Sequence, residues 1–343
     1  MRKITTLGID LAKDVFQLHG VDELGAVVLR RQVRRGQLLR TVAQLPPCLV
    51  GMEACASAHH WGRQLGRHGH TVRLMSPQFV KPYVKSQKND QADAEAICEA
   101  VQRPSMRFVP LKSFEQQDFQ TAHRARQGLM QERTAIINRM RGLLGEYGVI
   151  LARKPATVRR EVPEVLGDAQ NDLTAVAREL IAELFEHFRD LEQRIARIDA
   201  VIERLGSAHE TVKRLQTVPG IGLLTATALV AAVGDARAFK NGRQMAAWVG
   251  LVPRQISSGG KARLVGITKR GDRYLRTLLI HGARVIVTCA ERQKRPAHQW
   301  LNAVRERRGK QRAYVAQANK NARVAWAVMT SGQSYRAPTI MAA

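Results

Sequence analysis

A chain of 343 residues is long enough for two domains with separate cores, and 45% apolar residues against only 5% aromatic ones are enough to build them. Its formal charge of +26, from 55 Lys and Arg against 29 Asp and Glu, points to a nucleic-acid backbone as partner. A membrane partner is excluded on two grounds: the basic residues are dispersed rather than gathered on one amphipathic helix, and the longest apolar run, 223–233, is too short to span a bilayer.

The opening residues MRKITTLGIDLAKD place charges where a signal peptide would need an apolar run, so a cytoplasmic, soluble protein is expected. Residues 3–10 (KITTLGID), 15–21 and 26–33 read as three strands in a meander, with DELG at 22–25 as the turn. A helix over 35–45 ends at Pro46-Pro47, followed by a short buried strand at 48–52 (CLVGM). A helix at 58–69, a strand at 71–75 and a helix from Asp90 (DQADAEAICEAVQ) complete this part. Three antiparallel strands followed by alternating helices and strands is the order of the ribonuclease H-like fold. Cys48, Cys55, Cys98 and Cys289 lack CxxC spacing and read as reduced core residues.

From about 115 to 205 the strand signals vanish. Residues 115–147 and 171–205 carry apolar side chains at three- and four-residue spacing, with Leu180, Leu184, Leu191, Ile195, Ile198 and Ile202 in one stripe. The two helices either pack on each other within the chain or form a coiled coil with another copy. The segment 153–164, with Pro155 and Pro163, is expected to break them.

Residues 215–233 (LQTVPGIGLLTATALVAAV) read as a helix end, a Pro-Gly-Ile-Gly turn and a second helix, a helix-hairpin-helix-like element. Gly220 and Gly222 would leave backbone N–H groups facing outward toward a DNA phosphate. Residues 253–324 then hold 18 Lys and Arg against 3 Asp and Glu, the electrostatic footprint of the chain.

Two constellations carry chemistry. Asp10 and Glu53 each close an apolar strand, and Asp90 and Asp93 share one face at a helix start. If the strand ends converge, these four carboxylates would hold Mg²⁺ or Mn²⁺. The alternative for Asp90 is a helix cap, with Asp93 placed in the positive first turn. His59 and His60 read as surface or core histidines rather than ligands. The second constellation is GLVPRQISSGGK at 250–261 and GITKRGDRYLR after it. There Ser258 precedes Gly259 and Gly260, while Arg254, Lys261, Lys269, Arg270 and Arg273 supply positive charge. On the residues alone this is either a nucleophile or a phosphate-binding loop without chemistry.

The blocks TLGIDLAKDVFQLHGVD, GMEACASAHHWGRQL, KSQKNDQADAEAICEAV, VPGIGLLTATALVAAVGD, AAWVGLVPRQISSGGK and GITKRGDRYLRTLLIHGAR, in this order, resemble a transposase of the insertion-sequence 110 family, in its 1111 subgroup. The resemblance runs end to end. It implies a RuvC-like catalytic domain over 1–112, a helical coiled-coil and dimerisation region over 113–208, and a basic, mostly α C-terminal transposase domain over 209–343. The family's DEDD set falls on Asp10, Glu53, Asp90 and Asp93, and its nucleophilic serine on Ser258, with Ser257 one residue away. The resemblance also implies DNA strand exchange between donor and target through a phosphoserine link, directed by a structured bridge RNA. Synapsis implies a homo-oligomer, a dimer or tetramer, and allows the acidic site of one copy to meet the serine of another. The rival expectations are a RuvC-like junction nuclease that uses water, and a non-enzymatic nucleic-acid scaffold.

Overall fold

The computed structural model describes residues 3–85, 89–292 and 298–337. The chain divides into two compact units, Met1–Ser113 and Phe114–Ala343.

In the first unit, strands β1 (Thr6–Asp10), β2 (Val15–Val21), β3 (Val27–Arg34), β4 (Leu49–Glu53), β5 (Thr71–Met75) and β6 (Phe108–Val109) form, among the described residues, one sheet in the order β3-β2-β1-β4-β5-β6. β2 runs antiparallel to β1 and β3, β4 and β5 run parallel to β1, and β6 closes the far edge antiparallel to β5. The helices are α1 (Leu38–Ala43), α2 (Ala58–Arg67), α3 (Pro77–Val80) and α4 (Asp90–Val101). Period-two alternation sorts the side chains between the two faces. Leu7, Ile9, Val50 and Met52 point into one core with Phe16, Leu38, Val42, Trp61 and Leu65. The alternate residues Thr6, Gly8 and Asp10, with Leu49, Gly51 and Glu53, fall on the face that α4 covers.

Two glycines make that cover possible. A Cβ on Gly8 would overlap the Ala94 carbonyl and stand 2.6 Å from the Cys98 amide, and one on Gly51 would stand 2.8 Å from Val101 Cβ. The backbone of α4 therefore lies directly on β1 and β4, sealed by Ala96, Ile97, Ala100 and Val101.

The second unit is mostly helical, with α5 (Phe114–Gly145), α6 (Pro155–Gly167), α7 (Ala175–Ala208), α8 (Glu210–Gln216), α9 (Leu223–Val233), α10 (Gly242–Val249), α11 (Arg273–Arg292), α12 (Gln299–Arg308) and α13 (Lys310–Ser331). Helices α5 and α7 pack on each other within the chain, through Ile136, Ile137, Met140 and Leu144 against Ile181, Phe185, Phe188 and Leu191. The expected stripe is thus partly displaced: Leu191, Ile195 and Ile202 are buried, while Leu180 is exposed.

Residues 153–164, expected to break the two long helices, do separate them, since α5 ends at Gly145 and α7 starts at Ala175, but most of the segment is itself helical, as α6. Pro155 sits in its first turn, where a missing N–H costs nothing, and Val158 and Val162 are buried against the hairpin core. The serine loop is likewise not a loop. Strands β7 (Pro253–Ser258) and β8 (Lys261–Ile267) form a two-stranded hairpin joined by Gly259 and Gly260. Their φ values of +56° and +76° are those of a two-residue turn with both centres left-handed, which favours glycine at each. Of the four cysteines only Cys48 and Cys98 are core residues; Cys55 and Cys289 are exposed, and all four are free.

Candidate catalytic site

The ends of β1 and β4 and the start of α4 bring the acidic residues together. Oxygen atoms of Asp10, Asp90 and Asp93 all lie within 4.8 Å of one another, close enough to share one cation. Asp10 and Asp93 are half-buried and Asp90 is exposed. Asn89, not Asp90, caps α4: its side-chain oxygen accepts from the Ala92 amide at 2.8 Å. Capping therefore does not account for the Asp90 carboxylate. Both acids of the first turn also lie where the helix dipole favours negative charge.

Glu53 stands outside this three-residue group. It does end the neighbouring strand, one residue beyond the Ile9–Met52 pair and opposite Met75 on β5, so it borders the cluster from the β4 side. Its proximity is felt at Cys55: although that residue is exposed at the surface, partial desolvation first, then the charges of Glu53 and Asp10, push its thiol up. The donor set is all carboxylate, the chemistry that suits a hard divalent cation such as Mg²⁺ or Mn²⁺. His59 and His60 are elsewhere occupied. His59 Nδ1 accepts from the Lys112 amide at 3.2 Å, and burial with the nearby charges of Lys112 and Arg63 lowers it to about 4. His60 is exposed, and its ring stands edge-on to Trp61.

In the second unit, Ser258 is the last residue of β7 at the tip of an exposed arm. The hairpin register places Ser258 opposite Lys261, Ile256 opposite Arg263 and Arg254 opposite Val265. Directly paired residues share a face, so Ser258 stands with Lys261, Arg263 and Arg254. Ser257 belongs to the other face, opposite Ala262, and its hydroxyl accepts from Gln255 Nε2 at 2.8 Å. Arg263 is the residue that sequence reading missed. A Gly-Gly pair between two alternating runs was the available signal, since it marks a hairpin and so sets the cross-strand pairs.

The base of the arm is tied to the body of the unit by hydrogen bonds and close backbone packing. Buried Arg276 donates from Nη1 to the carbonyls of Val249 and Arg270, both at 2.9 Å. Lys269 is held at φ +55°, and a Cβ on Gly250 would stand 2.7 Å from the Arg270 amide. Asp272 caps α11 through the Leu275 amide at 3.0 Å, leaving Lys269, Arg270 and Arg273 exposed around the helix start.

The Pro-Gly-Ile-Gly turn links α8 to α9 as expected, but its two glycines differ. Gly220 (φ +79°) is packed inward: a Cβ there would stand 2.6 Å from Ile286 and 2.9 Å from the Gly282 carbonyl, and Asn321 Nδ2 donates to the Pro219 carbonyl at 3.1 Å. Only Gly222, exposed at the N-cap of α9, keeps open space around it.

Comparison with known proteins gives this arrangement its setting. Over 334 residues the chain is 51% identical to a Pseudomonas aeruginosa protein named "Probable family 20 transposase", covering 97% of this chain and 99% of that protein. It is 46% identical to the transposase for insertion sequence element IS1111A of Coxiella burnetii, over 98% of this chain and 92% of the relative. To the transposase for IS1328 of Yersinia enterocolitica it is 42% identical, over 97% and 98%. A family model described as "Transposase IS116/IS110/IS902 family" matches residues 212–299, and a DEDD model of the IS110 transposases matches residues 7–149. The chain belongs to the IS116/IS110/IS902 transposase family. The transposase therefore acts on DNA at an insertion sequence, and its DEDD model covers the residues that build the acidic cluster. No helix among its described residues is long and apolar enough to cross a membrane.

Proposed function

We propose that this transposase exchanges DNA strands between donor and target through a covalent phosphoserine at Ser258. The observation that carries the reading is the hairpin register. It favours Ser258 over Ser257, because only Ser258 stands on the face with Lys261, Arg263 and Arg254. Those three cations bind the phosphates flanking the scissile bond and offset the charge that builds on the phosphoryl oxygens. Ser258 Oγ attacks the phosphorus; the bond to the 3′ oxygen breaks, that oxygen takes up the proton, and a 3′-hydroxyl leaves. The serine ester keeps the phosphodiester energy. The partner strand's 3′-hydroxyl can then displace Ser258 without another energy source, which restores the free side chain.

Asp10, Asp90 and Asp93, with Glu53 at their border, would hold Mg²⁺ or Mn²⁺. Such an ion polarises a phosphate and stabilises developing oxyanions. The chain's own residues would supply its seat, from the end of β1 and the start of α4. The order of strands β3-β2-β1-β4-β5 supports a RuvC-like reading of this unit. Full-length likeness to the IS1111A transposase supports the 1111 subgroup. In this reading a structured bridge RNA from the element selects donor and target by base pairing, and the +26 charge suits a protein that holds RNA and DNA together. Synapsis of two sites makes the working form a homo-oligomer.

The test is a denaturing gel of purified protein incubated with its RNA, substrate DNA and Mg²⁺. Wild type and Ser257→Ala are expected to give a protein–DNA adduct that survives denaturation. Ser258→Ala and Asp10→Asn are expected to give none. Free nicked DNA without adduct would establish a water-using nuclease instead, and absence of cutting would leave a nucleic-acid scaffold.

A further inference from the structure

A groove lies at the base of the arm, against α12 and α13. Leu251 and Ile267 give it an apolar floor, and its volume of about 630 Å³ falls within the range of ligand clefts. Along α13, Arg312, Lys320 and Arg323 line it at spacings of eight and three, which puts them on one helix face; all three are exposed. Trp300 of α12 also lines it; this residue is 48% exposed, with the Lys320 ammonium 5.1 Å from the ring centroid. Among the described residues, no carboxylate lines the groove.

We infer that this groove binds an unpaired segment of single-stranded DNA, with a base stacked on Trp300 and its phosphates on Arg312, Lys320 and Arg323. Beside the Lys320 ammonium the half-exposed indole still leaves apolar ring surface in water, and every base carries a π-face that covers such surface without regard to sequence. Three cations without a countering carboxylate select a polyanion. A duplex keeps its bases stacked inside, so a site built on an aromatic ring selects a strand lifted out of the helix. The choice of DNA rests on the strand-exchange reading above, in which each exchanged strand must leave its duplex; the chemistry of the groove stands apart from it.

The probe is a fluorescently labelled oligothymidylate strand, titrated by anisotropy against the full-length protein, beside a duplex and an oligouridylate of equal length. Trp300→Leu keeps apolar bulk but removes the π-face. It is expected to weaken single-strand DNA binding about ten-fold at fixed salt, leaving duplex affinity and the salt slope unchanged. Trp300→Phe is expected to keep most of the affinity, which separates stacking from any loss of folding. Lys320→Gln is expected to lower the logarithmic salt slope for the single strand by about 0.7.

Equal loss for duplex and single strand, or a Phe variant as weak as the Leu variant, would overturn the assignment. A strand bound only as oligouridylate would overturn DNA as the occupant. Ser258→Ala is expected to bind the strand normally while forming no adduct, so a failure here and a failure of the phosphoserine reading give different results.

Discussion

At the scale of single residues, the acidic cluster depends on a side chain that is missing. Asp10 reaches Asp90 and Asp93 because Gly8, two residues earlier on the same strand face, lets the α4 backbone rest on β1. Any Cβ at position 8 meets the Ala94 carbonyl and the Cys98 amide. These are backbone groups in the middle of a helix, so they cannot yield as a flexible side chain would. The helix must lift as a body and carry Asp90 and Asp93 away from Asp10. Gly8→Ala is therefore expected to cost about 1–3 kcal/mol of stability. It is also expected to weaken Mn²⁺ binding, as urea unfolding and calorimetric titration will show. A variant that loses stability but binds Mn²⁺ as wild type does would mean that the carboxylates are positioned by something other than this contact.

At the scale of elements, a buried polar network ties three helices of the second unit together. His123 of α5 meets Tyr274 Oη of α11 at 3.0 Å through Nδ1 and Thr227 Oγ1 of α9 at 2.9 Å through Nε2. Beside it Arg126 donates to Asp199 of α7. Burial first, then the charge of Arg126, lowers His123 to about 4 from its ordinary value near 6.5. A histidine kept neutral in the fold takes up its proton first in the unfolded chain. Below about pH 6.5 the unfolded state binds more protons, and stability falls until the folded state also titrates near pH 4. Chemical unfolding at pH 7 and pH 4.5 is expected to show a drop that is smaller by roughly 2 kcal/mol in His123→Gln than in wild type. Equal drops would show that the network does not hold His123 neutral.

The same scale shows which parts of the molecule were readable. Strands β1 to β5 and helices α2, α4, α5 and α9 follow from apolar period and turn residues, with shifts of a few residues at their ends. Local signals failed where two meanings compete. Pro155 and Pro163 do mark the break between α5 and α7, but Pro155 also starts a helix and Pro163 lies inside it, with Val158 and Val162 buried. Gly259 and Gly260 suit both a phosphate loop and a tight turn, and the strands on either side decided for the turn. Glu53 could be placed at a strand end, but the reach of its carboxylate depends on tertiary geometry that no local pattern encodes.

At the scale of the whole molecule, charge is the dominant feature. Residues 253–324 carry 18 of the 55 basic residues against 3 acidic ones; those among the described residues are spread over the arm, α11, α12 and α13 rather than gathered in one loop. Binding built this way is sequence-independent and driven by release of counterions from DNA. Its logarithm should fall linearly with the logarithm of salt, by about 0.9 for each duplex phosphate neutralised. The double variant Lys261→Gln, Arg263→Gln removes two charges from the Ser258 face. Duplex affinity is expected to weaken alike for every sequence, and the salt slope to drop by about 2 in anisotropy titrations from roughly 50 to 200 mM salt. A double variant that kept the wild-type slope would mean that these side chains face away from DNA, and the face that presents Ser258 to the phosphate would have to be reassigned.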